Sequence, residues 1–260
     1  MKLGLSTAAF YSIGETEENA AHVASLPVDT CEVFLECWSE YTVAFGQLVR
    51  QQLGDLHVSS VHPKGTQFEN DLFARSARQV QDAREIFTGV IQAGQAVGAK
   101  YYVMHGPGTV VTPRTPEQIL GLAEHMGVLQ GIAQAHGMEV LWENVSWCSM
   151  RTTEHLRTLK GILPDMHFVL DTKQAYRAGI DPRDMLAAMG QDLRHVHVLD
   201  WTAEGKLCLP GEGAFDWPDF FCRLKDMGYR GSVILEPYEN LSRDDARLIR
   251  SLEYLRGLMG

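Results

Sequence analysis

Seven ionisable residues, Glu36, His62, His105, Glu143, Asp171, His197 and Glu236, each stand at the end of a short apolar run such as Val-Phe-Leu, Phe-Val-Leu or Val-Ile-Leu. One polar residue behind an apolar run is ordinarily a cap or turn residue. Seven in succession mean more if their runs end at one place, because neighbouring buried carboxylates and imidazoles are costly unless something neutralises them. A metal ion does so directly. Glu143, Asp171, His197 and Glu236 would offer three oxygens and one nitrogen with no thiolate, which suits a catalytic divalent cation better than a structural zinc. The other histidines have plainer readings. His22, His125, His136 and His155 fall on helical stretches and are expected at the surface, while His57 and His167 begin apolar runs. His195 shares a strand face with His197 and is expected one layer deeper, in the core.

Whether the seven meet depends on the elements that carry them. Runs rich in β-branched residues cover 2–7, 30–36, 57–62, 101–105, 138–145, 167–172, 193–200 and 232–238. Helical spacing fills 16–26, 42–54, 70–98, 115–136, 152–162, 182–190, 216–227 and 242–258. Thr115-Pro116-Glu117 and Asp216-Trp217-Pro218-Asp219 read as helix starts, and Gly137, Gly161 and Gly228 as helix stops. Strands alternating with helices must pair in parallel, and eight such units in 260 residues predict one α/β domain over 1–260, a (β/α)8 TIM barrel. In that fold all C-terminal strand ends share one rim, which would gather the seven residues into one pocket. An open doubly wound sheet is disfavoured, since no G-x-G-x-x-G follows the first run and no linker marks a second domain.

Composition sets outer bounds. The chain is 45% hydrophobic and 22% charged, enough to build a core. With 23 basic against 33 acidic residues its formal charge is −10, which weighs against a nucleic-acid partner. Five scattered cysteines without a C-x-x-C pair predict a reduced, cytoplasmic setting. The opening Met-Lys-Leu-Gly-Leu is too short for a signal peptide, and no apolar run approaches the roughly 20 residues of a membrane helix, so no membrane association is expected.

Taken in order, several segments resemble the xylose isomerase-like barrels, a family that includes sugar epimerases, inosose dehydratases and endonuclease IV. They are Ser60-Val61-His62-Pro63, Met104-His105-Gly106-Pro107-Gly108, Trp142-Glu143-Asn144, Leu170-Asp171-Thr172, His195-Val196-His197-Val198-Leu199-Asp200, Leu209-Pro210-Gly211-Glu212-Gly213 with Asp216-Trp217, and Ile234-Leu235-Glu236. Endonuclease IV needs further ligands where this chain has Gln174, Gly205 and Leu207. The single-metal set of ketose 3-epimerases, in contrast, is complete in Glu143, Asp171, His197 and Glu236. Gln174 departs from those epimerases too, which often carry a substrate-binding histidine there.

The resemblance implies a metal-dependent isomerase or epimerase of a ketose or related polyol ketone, working through an enediolate with one divalent ion. Mn2+ or Zn2+ is expected first, then Mg2+ or Co2+. Glu143 and Glu236 would remove and return the proton; loss of a β-hydroxyl from the same enediolate would make the protein a dehydratase of an inosose-like substrate. His62 and His105 would bind substrate, joined less firmly by Glu36, Lys173, Gln174 and Trp38, with Trp147, Trp201, Phe10 and Tyr11 as further flat walls. Glu212 between glycines should repel a phosphate, which favours an unphosphorylated sugar. A Schiff-base role for Lys173 is disfavoured because it follows the strand end. A homo-oligomer would match the relatives. The competing readings are an endonuclease IV-like phosphodiester hydrolase and a non-catalytic sugar-binding subunit.

Overall fold

The structure is a computed structural model that describes residues 1–108 and 115–260. Its strands are β1 (Lys2–Ser6), β2 (Thr30–Leu35), β3 (His57–Pro63), β4 (Tyr101–Met104), β5 (Glu139–Glu143), β6 (His167–Asp171), β7 (Leu193–Val198), β8 (Asp200–Trp201), β9 (Leu207–Cys208) and β10 (Ser232–Leu235). Its helices are α1 (Thr16–Ala24), α2 (Val43–Leu53), α3 (Ala77–Val97), α4 (Pro116–Ala135), α5 (Thr153–Ile162), α6 (Thr172–Arg177), α7 (Pro182–Met189), α8 (Trp217–Asp226), α9 (Glu239–Ser242) and α10 (Asp245–Met259). Eight strands close into a barrel in the order β1-β10-β7-β6-β5-β4-β3-β2, all paired in parallel, so the expected TIM barrel is the fold.

Alternation within each strand decides what the barrel encloses. Val103, Leu141 and Val169, with Tyr101 against them, form a small apolar cluster separate from the large core between strands and helices. Two residues further along stand His105, just past β4, and Glu143 and Asp171, the last residues of β5 and β6. The pleat that turns the apolar trio inward therefore turns the polar trio inward as well, one layer nearer the C-terminal rim. Register carries the pattern on, since Asp171 pairs with His197 across β6 and β7.

Local differences from the sequence reading have local causes. Thr115 caps α4 in a reciprocal box with Gln118, and Asp216 caps α8, as expected. Gly137 and Gly228 follow their helices with positive φ, but Gly161 lies inside α5 and stops nothing. Helix α3 begins at Ala77 rather than near 70, because Ser76 caps it and Glu69–Phe73 forms a separate 3-10 turn. The short helix α6 was not foreseen. Asp171 starts it by accepting the Gln174 N–H at 2.8 Å. The apolar run expected over 193–200 splits at Leu199, and Asp200 opens the β8–β9 hairpin, its carboxylate taking the Trp217 indole N–H at 2.8 Å.

Candidate metal centre

Glu143 ends β5, Asp171 ends β6, His197 lies one residue before the end of β7 and Glu236 follows β10. All four are buried, and one ligand-type atom from each lies within 4.8 Å of the others. His197 Nδ1 is 3.6 Å from Glu143 Oε1 and 3.6 Å from Glu236 Oε2. Glu143 Oε2 and His197 Nδ1 are buried without a hydrogen-bond partner, a costly state that an ion among them would relieve, while Asp171 Oδ2 makes no hydrogen bond but lies 3.2 Å from the Lys173 ammonium. Three oxygens and a nitrogen with no sulfur fit a divalent cation with open positions. Burial, together with the carboxylates of Asp171 and Glu236, pushes the Glu143 carboxyl up to about 8 against the opposing His197. Glu236 goes the other way: burial opposes its charge, but Lys173 and His197 outweigh this and hold its carboxyl below the usual value.

Glu32, which the sequence reading passed over, orients His197. It is fully buried in the middle of β2. Its Oε2 takes hydrogen bonds from His197 Nε2 at 3.0 Å, His195 Nε2 at 3.2 Å and the Ser60 hydroxyl at 2.8 Å, and its Oε1 takes one from Ser6 at 3.3 Å. An ionised carboxylate only accepts, so His197 must donate from Nε2, which leaves Nδ1 to face the centre. Burial alone would raise the Glu32 pKa, yet His197 and His195 hold it well below the usual range. Burial likewise disfavours the charged form of His197, but Glu32 and Glu236 raise its pKa well above the ordinary value. His195 lies in the core beneath His197, as its strand position implied.

His62 and His105 come to the same place. His105 Nε2 is 3.4 Å and His62 Nε2 3.8 Å from Glu143 Oε2, and the three residues form a further group of ligand-type atoms within 4.8 Å. Burial lowers the His62 pKa to about 4; burial and the neighbouring His62 lower that of His105 to about 3. Both rings are therefore neutral at physiological pH. Behind them lies a second residue the sequence reading missed. Glu69 is buried, accepts the Tyr102 hydroxyl at 3.0 Å and the His105 N–H at 3.2 Å, and burial pushes its carboxyl up to about 8.

The other expected site residues separate. Lys173 joins the centre, 3.0 Å from Glu236 Oε2 and 3.2 Å from Asp171 Oδ2, and these carboxylates keep its pKa well above the ordinary value against burial. Gln174 is tied down: its Oε1 accepts the Ser146 N–H at 3.2 Å and hydroxyl at 2.8 Å, which fastens α6 to the loop after β5. Glu36 is half-buried beside Glu40, whose carboxylate takes the Glu36 N–H at 2.6 Å; burial, then Glu40, raises its own pKa to about 7. It is in none of the ligand-type groups found among the described residues. Trp38 is 61% exposed on the turn that Glu40 braces. Trp147 stands closer, its ring 5.6 Å from that of His105. Glu212 is paired with Arg247 at 2.5 and 2.6 Å, so its charge gives no reason to exclude a phosphorylated substrate.

A barrel with this polar rim belongs to the xylose isomerase-like TIM barrel family, whose model matches residues 20–258. Among curated relatives, an inosose dehydratase of Yersinia enterocolitica serotype O:8 / biotype 1B is 26% identical over 155 residues, 51% of this chain and 50% of that protein. An inosose dehydratase of Klebsiella pneumoniae (strain 342) is 24% identical over 163 residues, 54% of this chain and 54% of that protein. The chain thus spans about half the length of the curated relatives it matches. Among solved structures, a D-psicose 3-epimerase crystallised in the presence of D-fructose superposes with a TM-score of 0.80 at 17% identity, covering 100% of both chains. A 3-keto-D-glucoside 4-epimerase from E. coli superposes with a TM-score of 0.76 at 19% identity, covering 99% of both. At those identities the likeness is one of fold. No helix among the described residues is long and apolar enough to cross a membrane.

Proposed function

We propose that this protein is a divalent-metal-dependent isomerase or epimerase of a ketose or related polyol ketone. The observation that carries this reading is the convergence of four buried side chains whose centre-facing atoms include three without a hydrogen bond. Glu143, Asp171, His197 and Glu236 would hold one ion, Mn2+ or Zn2+ before Mg2+ or Co2+, and when bound it supplies Lewis-acid polarisation of the substrate carbonyl. The proton work falls to the chain. Glu143 and Glu236 come from strands with β6 and β7 between them, so they reach a substrate from different sides. One removes the proton from the carbon beside the carbonyl and the other returns one to the opposite face. His62 and His105, neutral rings, hydrogen-bond substrate hydroxyls, and Trp147 offers a flat wall at the mouth.

A dehydratase is the second reading, and the inosose dehydratase relatives favour it. It needs the same proton abstraction followed by departure of a β-hydroxyl as water, the leaving oxygen taking a proton from the glutamic acid that the abstraction formed. Incubating metal-loaded protein with ketoses and inososes in deuterated solvent separates the two. Deuterium beside the carbonyl with inverted configuration identifies an epimerase, and loss of water a dehydratase. Absence of exchange with every substrate, metal bound, overturns both. Glu143→Gln and Glu236→Gln are each expected to slow exchange by about 10²- to 10⁴-fold.

A further inference from the structure

Two of the four residues that would hold the ion already face a cation of the chain's own. Lys173 Nζ lies 3.0 Å from Glu236 Oε2 and 3.2 Å from Asp171 Oδ2, on a side chain only 4% exposed. Its other side faces the Tyr238 ring, 4.7 Å from the centroid, a further favourable contact for a positive charge. Lys173 belongs to the first turn of α6, whose start is fixed by the other oxygen of Asp171. The ammonium is thus built into the ligand set, although the proton transfer proposed above makes no use of it.

Charge explains its place. Without an ion, Asp171 and Glu236 confront each other and the Glu143 carboxyl in a buried space, and the Lys173 ammonium contacts the first two. With an ion held by Asp171 and Glu236, the ammonium shares the same carboxylates with a second, larger positive charge. Repulsion over so short a distance is poorly screened away from solvent. We propose that Lys173 is a built-in competitor for the divalent ion. It neutralises the Asp171 and Glu236 side of the site when no ion is held and loosens the ion's hold when one is. The inference rests on the reading of these four residues as a metal centre and adds that the ion is exchangeable rather than permanent.

The test is Mn2+ binding to the full chain, followed through the electron paramagnetic resonance of free Mn2+, with thermal unfolding measured with and without the ion. Lys173→Met and Lys173→Gln are expected to bind Mn2+ at least about tenfold more tightly than the parent and to unfold at lower temperature without it. Lys173→Arg, which keeps the charge, should stay within about threefold of the parent affinity. A neutral variant that folds only when Mn2+ is added also supports the proposal. Binding by all proteins, with neutral variants equal to or weaker than the parent and unchanged in circular dichroism, overturns the competition alone. Failure of every protein to bind Mn2+ overturns the metal centre and the competition together.

Discussion

The two ends of the barrel use histidine in opposite ways. At the N-terminal end, His57 Nδ1 shares a hydrogen bond with the Thr30 hydroxyl at 2.8 Å, and His167 sits between Glu139 and Arg194, each ring nitrogen engaged. At the C-terminal end, Nδ1 of His62, His105 and His197 is buried with no hydrogen bond. Residue type and strand are shared, since His57 and His62 both lie on β3. Satisfaction is what differs: a polar cluster with its partners complete is a fastening, and one with buried atoms left over is built around something else.

The largest expected break in this contrast comes from the ligand end. Asp171→Asn and His197→Gln should each abolish tight Mn2+ binding, read by equilibrium dialysis, and cut turnover by about 10³-fold. Glu32→Gln touches no substrate yet removes the charge that orients His197; metal affinity should fall by about 10- to 100-fold. Glu69 sharpens the contrast through pH. Between its ordinary value of 4.5 and about 8 the unfolded chain has lost a proton that the folded chain keeps. This residue's contribution therefore falls as pH rises through that window and is fullest below it. Urea unfolding should show Glu69→Gln losing less stability than the parent between the two pH values. The smallest effect belongs to the N-terminal end, where His167→Asn should cost about 1 kcal/mol in urea unfolding and leave Mn2+ affinity and turnover unchanged.

The barrel and the convergence of Glu143, Asp171, His197 and Glu236 were legible because strand ends can be read from apolar runs and a parallel barrel sends all such ends to one rim. Glu32 escaped because it lies inside a run, between Cys31 and Val33, where only its parity with Glu36 marks it as inward-facing. Helix α6 escaped for a different reason. Six residues are too few for helical periodicity to show, and its capping residue, Asp171, was already understood as a ligand. Nor does any spacing rule reveal that the chain past β2, where Trp38 stands, turns under the hold of Glu40 on the Glu36 N–H. Gln174 drew attention as a substitution within a motif, while its task in the fold, fastening Ser146, depends on a loop that only three dimensions bring near.

Asp171 divides its two oxygens, one starting α6 and one turned to the centre. A single carboxylate thereby joins the four-residue cluster to the start of α6, so a side chain at 171 that cannot cap a helix would disturb both at once. Trp147 and Tyr238 stand differently, each partly exposed and set against a residue of the buried cluster, Trp147 against His105 and Tyr238 against Lys173.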